Sequence, residues 1–338
     1  MTTLPARFEA LVGEIGDIGR KLHQDYLVRH AKQNLPHLKK SIRDLPPSTA
    51  AKQASALVIS AGPSLRRRNM IRRILDAKYT GTVVAIDASM TACLREGLVP
   101  DFVLTLDPHP TRMVRWFGDH DLEEHTRGDD YFSRQDLDVA FRTKQQETNQ
   151  ANIELVNRFG PRLKVIAASS APENVVHRLN EAKAEIYWWN PLVDDPRGPD
   201  SLTRRLYDIN KLPAFNTGGN VGSAAWVFAA TKLKIPRVGV LGMDLGYYAD
   251  LPRAQTQTYY ELLKHNGGDE KAMAEYFTDF TFPLTQEKFY TDPVYFWYRK
   301  NLLQLLEQAP CKTFNCSEGG TLYGPGIECV ALEDFLRG

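Results

Sequence analysis

The chain has 338 residues, and its 42 lysines and arginines stand against 41 aspartates and glutamates. That length suits one large domain with insertions, and the charge balance leaves no global field to favour nucleic acid or an anionic membrane. No run approaches the roughly 18 apolar residues of a membrane span. Glu9, Glu14 and Asp17 interrupt any signal-peptide core. Cys93, Cys311, Cys316 and Cys329 show no C-x-x-C spacing, which argues against a zinc ribbon or a disulfide framework. The expectation is a soluble, cytoplasmic protein.

Residues 1–50 read as helical. Phe8, Leu11, Ile15, Ile18 and Leu22 recur at helical spacing and predict one apolar stripe, suited to a helical cap or an oligomer contact. Prolines at 36, 46 and 47 punctuate the segment, and Ser48–Ser55 reads as a linker. Three short apolar runs follow, Ala56–Ser60, Thr82–Ile86 and Asp101–Leu106, separated by segments long enough for crossover helices. This βαβαβ pattern places the three strand ends on one edge of a parallel sheet. Ligands bind beyond such an edge. Gly62, Pro63, Ser64, Asp87 and Asp107 lie there.

Arg66, Arg67, Arg68, Arg72 and Arg73 read as a solvated helix face, with phosphate binding as the alternative. Residues 111–162 are charge-rich and read as an insertion of mixed helix and loop outside the sheet; His120 and His125 within it have no metal-ligand spacing. Strands resume at Leu163–Ala168 and Glu185–Trp189, with Trp188 and Trp189 read as core and Asn190–Pro199 as a loop. Asn216, Thr217, Gly218, Gly219 and Asn220 then open an apolar helix. Such a loop offers unpaired amides and the positive end of a helix dipole to a phosphate or carboxylate. Arg237–Leu241 is the last clear parallel strand, ending at Asp244. Residues 245–295 form a long aromatic insertion of the kind that serves as a lid or acceptor site.

The fold class read from this order is α/β. It has a Rossmann-like, mostly parallel sheet with helices on both faces over 54–338, preceded by the N-terminal helical segment. Ser64, Asp87, Asp107, Asn216, Thr217, Asn220, Asp244 and Glu318 are the polar groups at its strand ends. Amides and hydroxyls for phosphate and base, with carboxylates for ribose or Mg²⁺, suit a nucleotide. No G-x-G-x-x-G, Walker or G-x-S-x-G signature is present. His109 is the best-placed imidazole for general base work.

The stretches ISAGPSL from Ile59, AID from Ala85, GLVPDFVLTLDP from Gly97, the NTGGN loop with Gly242-Met243-Asp244-Leu245, and NCSEGG from Asn315 together resemble one family. It joins the motility-associated (Maf) flagellin glycosyltransferases to MptE-like proteins, after the archaeal 6-hydroxymethylpterin diphosphokinase. Asn34-Leu35-Pro36 fits its bacterial branch. On the Maf side the resemblance implies transfer of a nonulosonic acid from a CMP-sugar to flagellin, another protein or a glycan. Gly62–Ser64 and Asn216–Asn220 would then hold CMP, and Asp107, Asp244 or His109 would act as base. No metal is required for that transfer. The diphosphokinase side implies pyrophosphate transfer from ATP with Mg²⁺. There the third strand ends in T-D-L-D-G, whereas this chain has Thr105 for the first acid and Pro108 for the glycine. A non-catalytic nucleotide-binding scaffold is the third reading.

Overall fold

The structure, a computed structural model, describes residues 4–127 and 139–338. Its strands in chain order are β1 (Ala56–Ile59), β2 (Thr82–Ile86), β3 (Phe102–Thr105), β4 (Lys164–Ala168), β5 (Glu185–Leu192), β6 (Ala214–Asn216), β7 (Arg237–Leu241), β8 (Tyr247–Tyr248), β9 (Thr278–Thr281), β10 (Lys288–Thr291), β11 (Lys312–Asn315) and β12 (Ile327–Cys329). Two compact units divide the chain. The first gathers Met1–Lys21, Ala50–Gly81 and Phe228–Gly338, and the second Leu22–Thr49 and Thr82–Val227.

In the first unit β12, β11, β7 and β1 lie side by side in that order, all parallel. β1 is buried along its whole length and β7 nearly so, as continuous Val/Leu/Ile runs demand when both faces are covered. Arg237–Leu241 is therefore not the last parallel strand. β11 and β12 follow it, hidden from a sequence reading because Lys312-Thr313-Phe314-Asn315 holds only one apolar residue, Phe314. Residues 245–295 carry their own antiparallel sheet in the order β8-β10-β9, backed by an aromatic cluster of Tyr247, Tyr276, Phe277 and Tyr290 with Leu11. The expected linker Ser48–Ser55 contains a short helix, Ala50–Ala54.

The second unit orders β2-β3-β4-β5-β6, again all parallel. The helices Asp87–Glu96, Pro110–Phe117 and Glu173–Glu181 bury Met90, Leu94, Met113, Phe117, Val176 and Leu179 against Val103 and Val165. Helix Val221–Val227 packs on β2 and β3. Part of the expected insertion at 111–162, residues 128–138, lies outside the described residues. The described part is not outside the packing, since Val114, Phe117 and Val156 are fully buried. β5 runs three residues beyond the expected strand end at Trp189, because Asn190, Pro191 and Leu192 pair with β6. Its pairing with β4 stops at Trp189, so Pro191 sits where that side of the strand needs no N–H donor. Trp188 and Trp189 are fully buried, and Trp189 stacks on Phe215 at 3.8 Å.

The N-terminal helix, Ala6–Gln33, departs from its expected stripe. Phe8 and Leu11 are buried, but Leu22 is 64% exposed, and from Leu27 the buried face turns to Leu202 and Leu206. Among the described residues no helix is long and apolar enough to cross a membrane.

Candidate functional site

The residues singled out in the sequence fall into two groups, one in each unit. In the first unit Gly62, Pro63 and Ser64 form the turn after β1, while Asp244 follows β7 and Glu318 follows β11. The Ser64 N–H donates to Asp244 Oδ2 at 2.8 Å, and its Oγ donates to Oδ1 at 2.5 Å. The Gly62 N–H donates to the Gly242 carbonyl at 2.7 Å. Burial holds the Asp244 carboxyl up to about 6, against the pull of both Ser64 bonds and of Arg68. Glu318 accepts from Arg73 at 2.5 and 3.2 Å and from the Leu332 N–H at 3.0 Å, and so anchors the C-terminal helix. The arginines expected on a solvated face are largely ion-paired. Arg67 meets Asp250, Arg68 meets Glu287 and Glu318, and Arg73 bridges Glu318 and Glu333.

In the second unit Asp87, Asp107 and the Asn216–Asn220 loop leave the carboxyl ends of β2, β3 and β6. The parallel pairing of these strands brings all three to one edge of that unit's sheet. The amides expected to be unpaired at 216–220 are engaged within the loop. The Gly218 N–H donates to Asn216 Oδ1 at 2.9 Å and the Gly219 N–H to Thr217 Oγ1 at 3.2 Å, while Asn220 Oδ1 caps the Ser223 N–H at 3.0 Å. Short polar side chains compete for neighbouring amides in this way, and the sequence alone does not show which will win.

Asp87 is the first residue of helix Asp87–Glu96, where the dipole favours a charged carboxylate by ~1 kcal/mol. Desolvation of a buried carboxylate is the larger effect. Burial accordingly lifts the Asp87 carboxyl to about 7, with the negative charge of Asp107 adding to the rise, and with the Ala88 N–H and Arg115 opposing it. Its Oδ1 accepts from the Ala88 N–H at 2.7 Å. Among the described residues its buried Oδ2 has no hydrogen-bond partner, nor has Thr105 Oγ1. The β2–β3 register pairs Ile86 with Leu104, which sets Asp87 beside Thr105 on the next strand. Thr105 tempers the rise without completing a hydrogen bond to Asp87. Asp107 Oδ1 accepts from the His109 N–H at 2.8 Å, and His109 Nδ1 lies 3.0 Å from Thr111 Oγ1.

The N-terminal helix carries no site residue expected from the sequence, yet its second half borders this edge. The Tyr26 ring lies 5.8 Å from His109 and 5.7 Å from His30, and His30 Nδ1 meets the Ser170 carbonyl at 3.1 Å. Burial lowers the His23 imidazole, with Asp107 opposing that and Arg112 assisting it. The signal available was the i, i+3, i+7 spacing of His23, Tyr26 and His30, which aligns them on one helix face.

This is a Rossmann-like α/β protein with polar groups gathered at its parallel strand ends. Residues 29–123 match the family model of MptE-like proteins, described as 6-hydroxymethylpterin diphosphokinase MptE-like. The matched stretch contains Gly62–Ser64, Asp87, Asp107 and His109. The fold is also that of a Maf glycosyltransferase from Magnetospirillum magneticum AMB-1, at 15% sequence identity and a TM-score of 0.55. That likeness covers 91% of this chain, which spans 38% of the other. The resemblance to the MptE-like/Maf family therefore stands, in sequence over 29–123 and in fold over most of the chain. No curated protein matches the sequence.

Proposed function

We propose that the chain is a glycosyltransferase that takes a nonulosonic, sialic-like sugar from a CMP donor, with its reacting centre at the β2–β3 edge of the second unit. The observation that carries this reading is the buried Asp87 carboxyl, held near 7 with one oxygen open, beside Asp107. Groups that titrate near neutrality suit proton transfer. In the proposed step the acceptor hydroxyl oxygen attacks the anomeric carbon and the bond from that carbon to the phosphate oxygen breaks. CMP departs with the electron pair. The hydroxyl proton passes to the Asp87 carboxylate or to its neighbours Asp107 and His109. Arg112 and Arg115, on the helix that follows His109, offset the negative charge of the leaving phosphate. The Asn216–Asn220 loop contributes donor contacts in this unit. In the first unit Gly62–Ser64 are proposed as nucleotide contacts in their own right, with Asp244 bracing the turn. The acceptor is a protein, flagellin among them, or a glycan.

A second reading is supported by the family match over 29–123: a pyrophosphate transfer from ATP to a hydroxymethylpterin. Mg²⁺ belongs to that reading. Asp87 Oδ2, which has no partner, and Asp107 are the carboxylate oxygens that would hold it, since hard cations take such donors. Bound there, the ion would neutralise charge on the transferred phosphates. Calorimetric titration with CMP, CDP and ATP·Mg²⁺ separates the two. Binding of CMP without ATP·Mg²⁺ supports the glycosyltransferase. Tight ATP·Mg²⁺ binding with no response to CMP, followed by AMP release with hydroxymethylpterin, removes it. An Asp107→Asn variant that leaves the cellular glycans unchanged points to a non-catalytic scaffold.

A further inference from the structure

Among the described residues of the second unit, the buried polar atoms without a hydrogen-bond partner include His23 Nδ1, Asp87 Oδ2, Thr105 Oγ1 and Ser170 Oγ. Leaving one such group unsatisfied costs ~1–3 kcal/mol, so natural folds keep few of them without a use. Strand register, electrostatic coupling through Asp107 and ring contacts link these four. Thr105 lies beside Asp87 in the β2–β3 register and is paired with Ala167 of β4, three residues before Ser170. Asp107 acts electrostatically on both Asp87 and His23. The Ser170 carbonyl holds His30, whose ring touches Tyr26, and Tyr26 in turn touches His109.

We propose that His23, Thr105 and Ser170, walled by Tyr26 and His30, form a subsite for the hydroxyl-rich ring of the sugar; the assignment rests on the glycosyltransferase reading and names the part of the substrate that this edge recognises. Sugar hydroxyls both donate and accept, so a single ring is able to satisfy an imidazole nitrogen and two hydroxyls together. A flat pterin would instead need a stacking face. Tyr26 is already engaged by the Arg29 guanidinium at 4.8 Å and by the tilted rings of His30 and His109. The N-terminal helix thus becomes part of the substrate site and not only a packing element.

The test titrates the free sugar apart from the nucleotide. Saturation-transfer NMR and calorimetry would follow N-acetylneuraminic acid, 6-hydroxymethylpterin and CMP, each alone, on the full chain and on His23→Ala, Thr105→Val and Ser170→Ala. The expected result is sugar binding that weakens about 10-fold in each variant, the loss of one well-made hydrogen bond. CMP affinity should stay unchanged, and the melting temperature should not fall. Failure of CMP to bind the unaltered chain would count against the glycosyltransferase reading alone, since the sugar arm is read without it. The subsite is overturned if the unaltered chain gives no saturation transfer to the sugar, if the three variants bind it as tightly as the parent, or if the pterin is the ligand they lose.

Discussion

Ser64 and Asp244 lie 180 residues apart in sequence, yet two hydrogen bonds of 2.8 and 2.5 Å join them at the carboxyl ends of β1 and β7. The pair fixes the turn after β1 by engaging both carboxylate oxygens, so Asp244 acts on this turn before it acts on any substrate. Removing its carboxyl would strand the Ser64 N–H and hydroxyl in a buried site. Asp244→Ala is therefore expected to cost ~2–4 kcal/mol in urea unfolding. Asp244→Asn keeps an acceptor for the N–H and should cost under ~1.5 kcal/mol. Because the folded carboxyl is raised to about 6 from 3.8, the native state keeps a proton that the unfolded chain releases between those values. Stability contributed by this group is full below about pH 4 and falls as pH rises to 6, at ~1.4 kcal/mol per pH unit. The Asn variant should lose that slope, and an unchanged slope would show that Asp244 does not titrate there.

Gly62 stands at the closest approach in the same turn. A Cβ at this position would lie 2.4 Å from the Gly242 carbonyl oxygen and 2.8 Å from the Asp244 carboxyl. Backbone on one side and a locked side chain on the other leave no room to give. Gly62→Ala should destabilise by ~1–3 kcal/mol. It should also lower the melting temperature by a few degrees. A melting curve that matches the parent protein would mean that the turn relaxes.

Much of this arrangement was legible in the sequence because buried parallel strands are written as continuous β-branched runs. Val58-Ile59, Val83-Val84 and Val103-Leu104 mark β1, β2 and β3 in that way, and the residues just after them mark the strand ends. β11 was not legible, since Thr313 and Asn315 are buried polar residues within it. Nor does periodicity tell which amides a loop will satisfy by itself, as with Gly218 and Gly219. The open oxygens of Asp87 and Thr105 depend on the register between two strands, and no single stretch of sequence carries a register. The contribution of His23 was hidden by the apolar stripe that ends just before it.

Glu318 lies in the left-handed backbone region at φ 52°, an unusual place for a residue with a side chain. What holds it there is the Arg73 fork and the Leu332 N–H. Glu318→Gly would relieve the backbone by ~1 kcal/mol but release Arg73, which its two carboxylate partners hold strongly charged. Glu318→Ala loses the anchor and keeps the strain, so it should be the less stable of the two by about 1 kcal/mol. Denaturant melts of both variants check the order. If nucleotide binding falls in both while stability does not, Glu318 is a ligand contact instead.

Thr105 and Asp87 make opposite demands on stability and activity. Thr105→Val removes a buried hydroxyl that has no partner and keeps the β-branched shape, so stability should hold or rise by up to ~1 kcal/mol. Transfer activity should fall about 10-fold if that hydroxyl meets the substrate. Asp87 is raised to about 7, so its stability contribution, full below about pH 4, declines as pH rises toward 7. Its carboxylate fraction grows over the same approach to neutrality. A rate that depends on the carboxylate should climb with a midpoint near 7, and Asp87→Asn should abolish that limb while removing the fall in stability between about pH 4 and 7. Measuring initial rates and urea midpoints from pH 5 to 8 on both proteins reads the two effects together. A rate limb that survives in Asp87→Asn would assign the titration to another group at this edge.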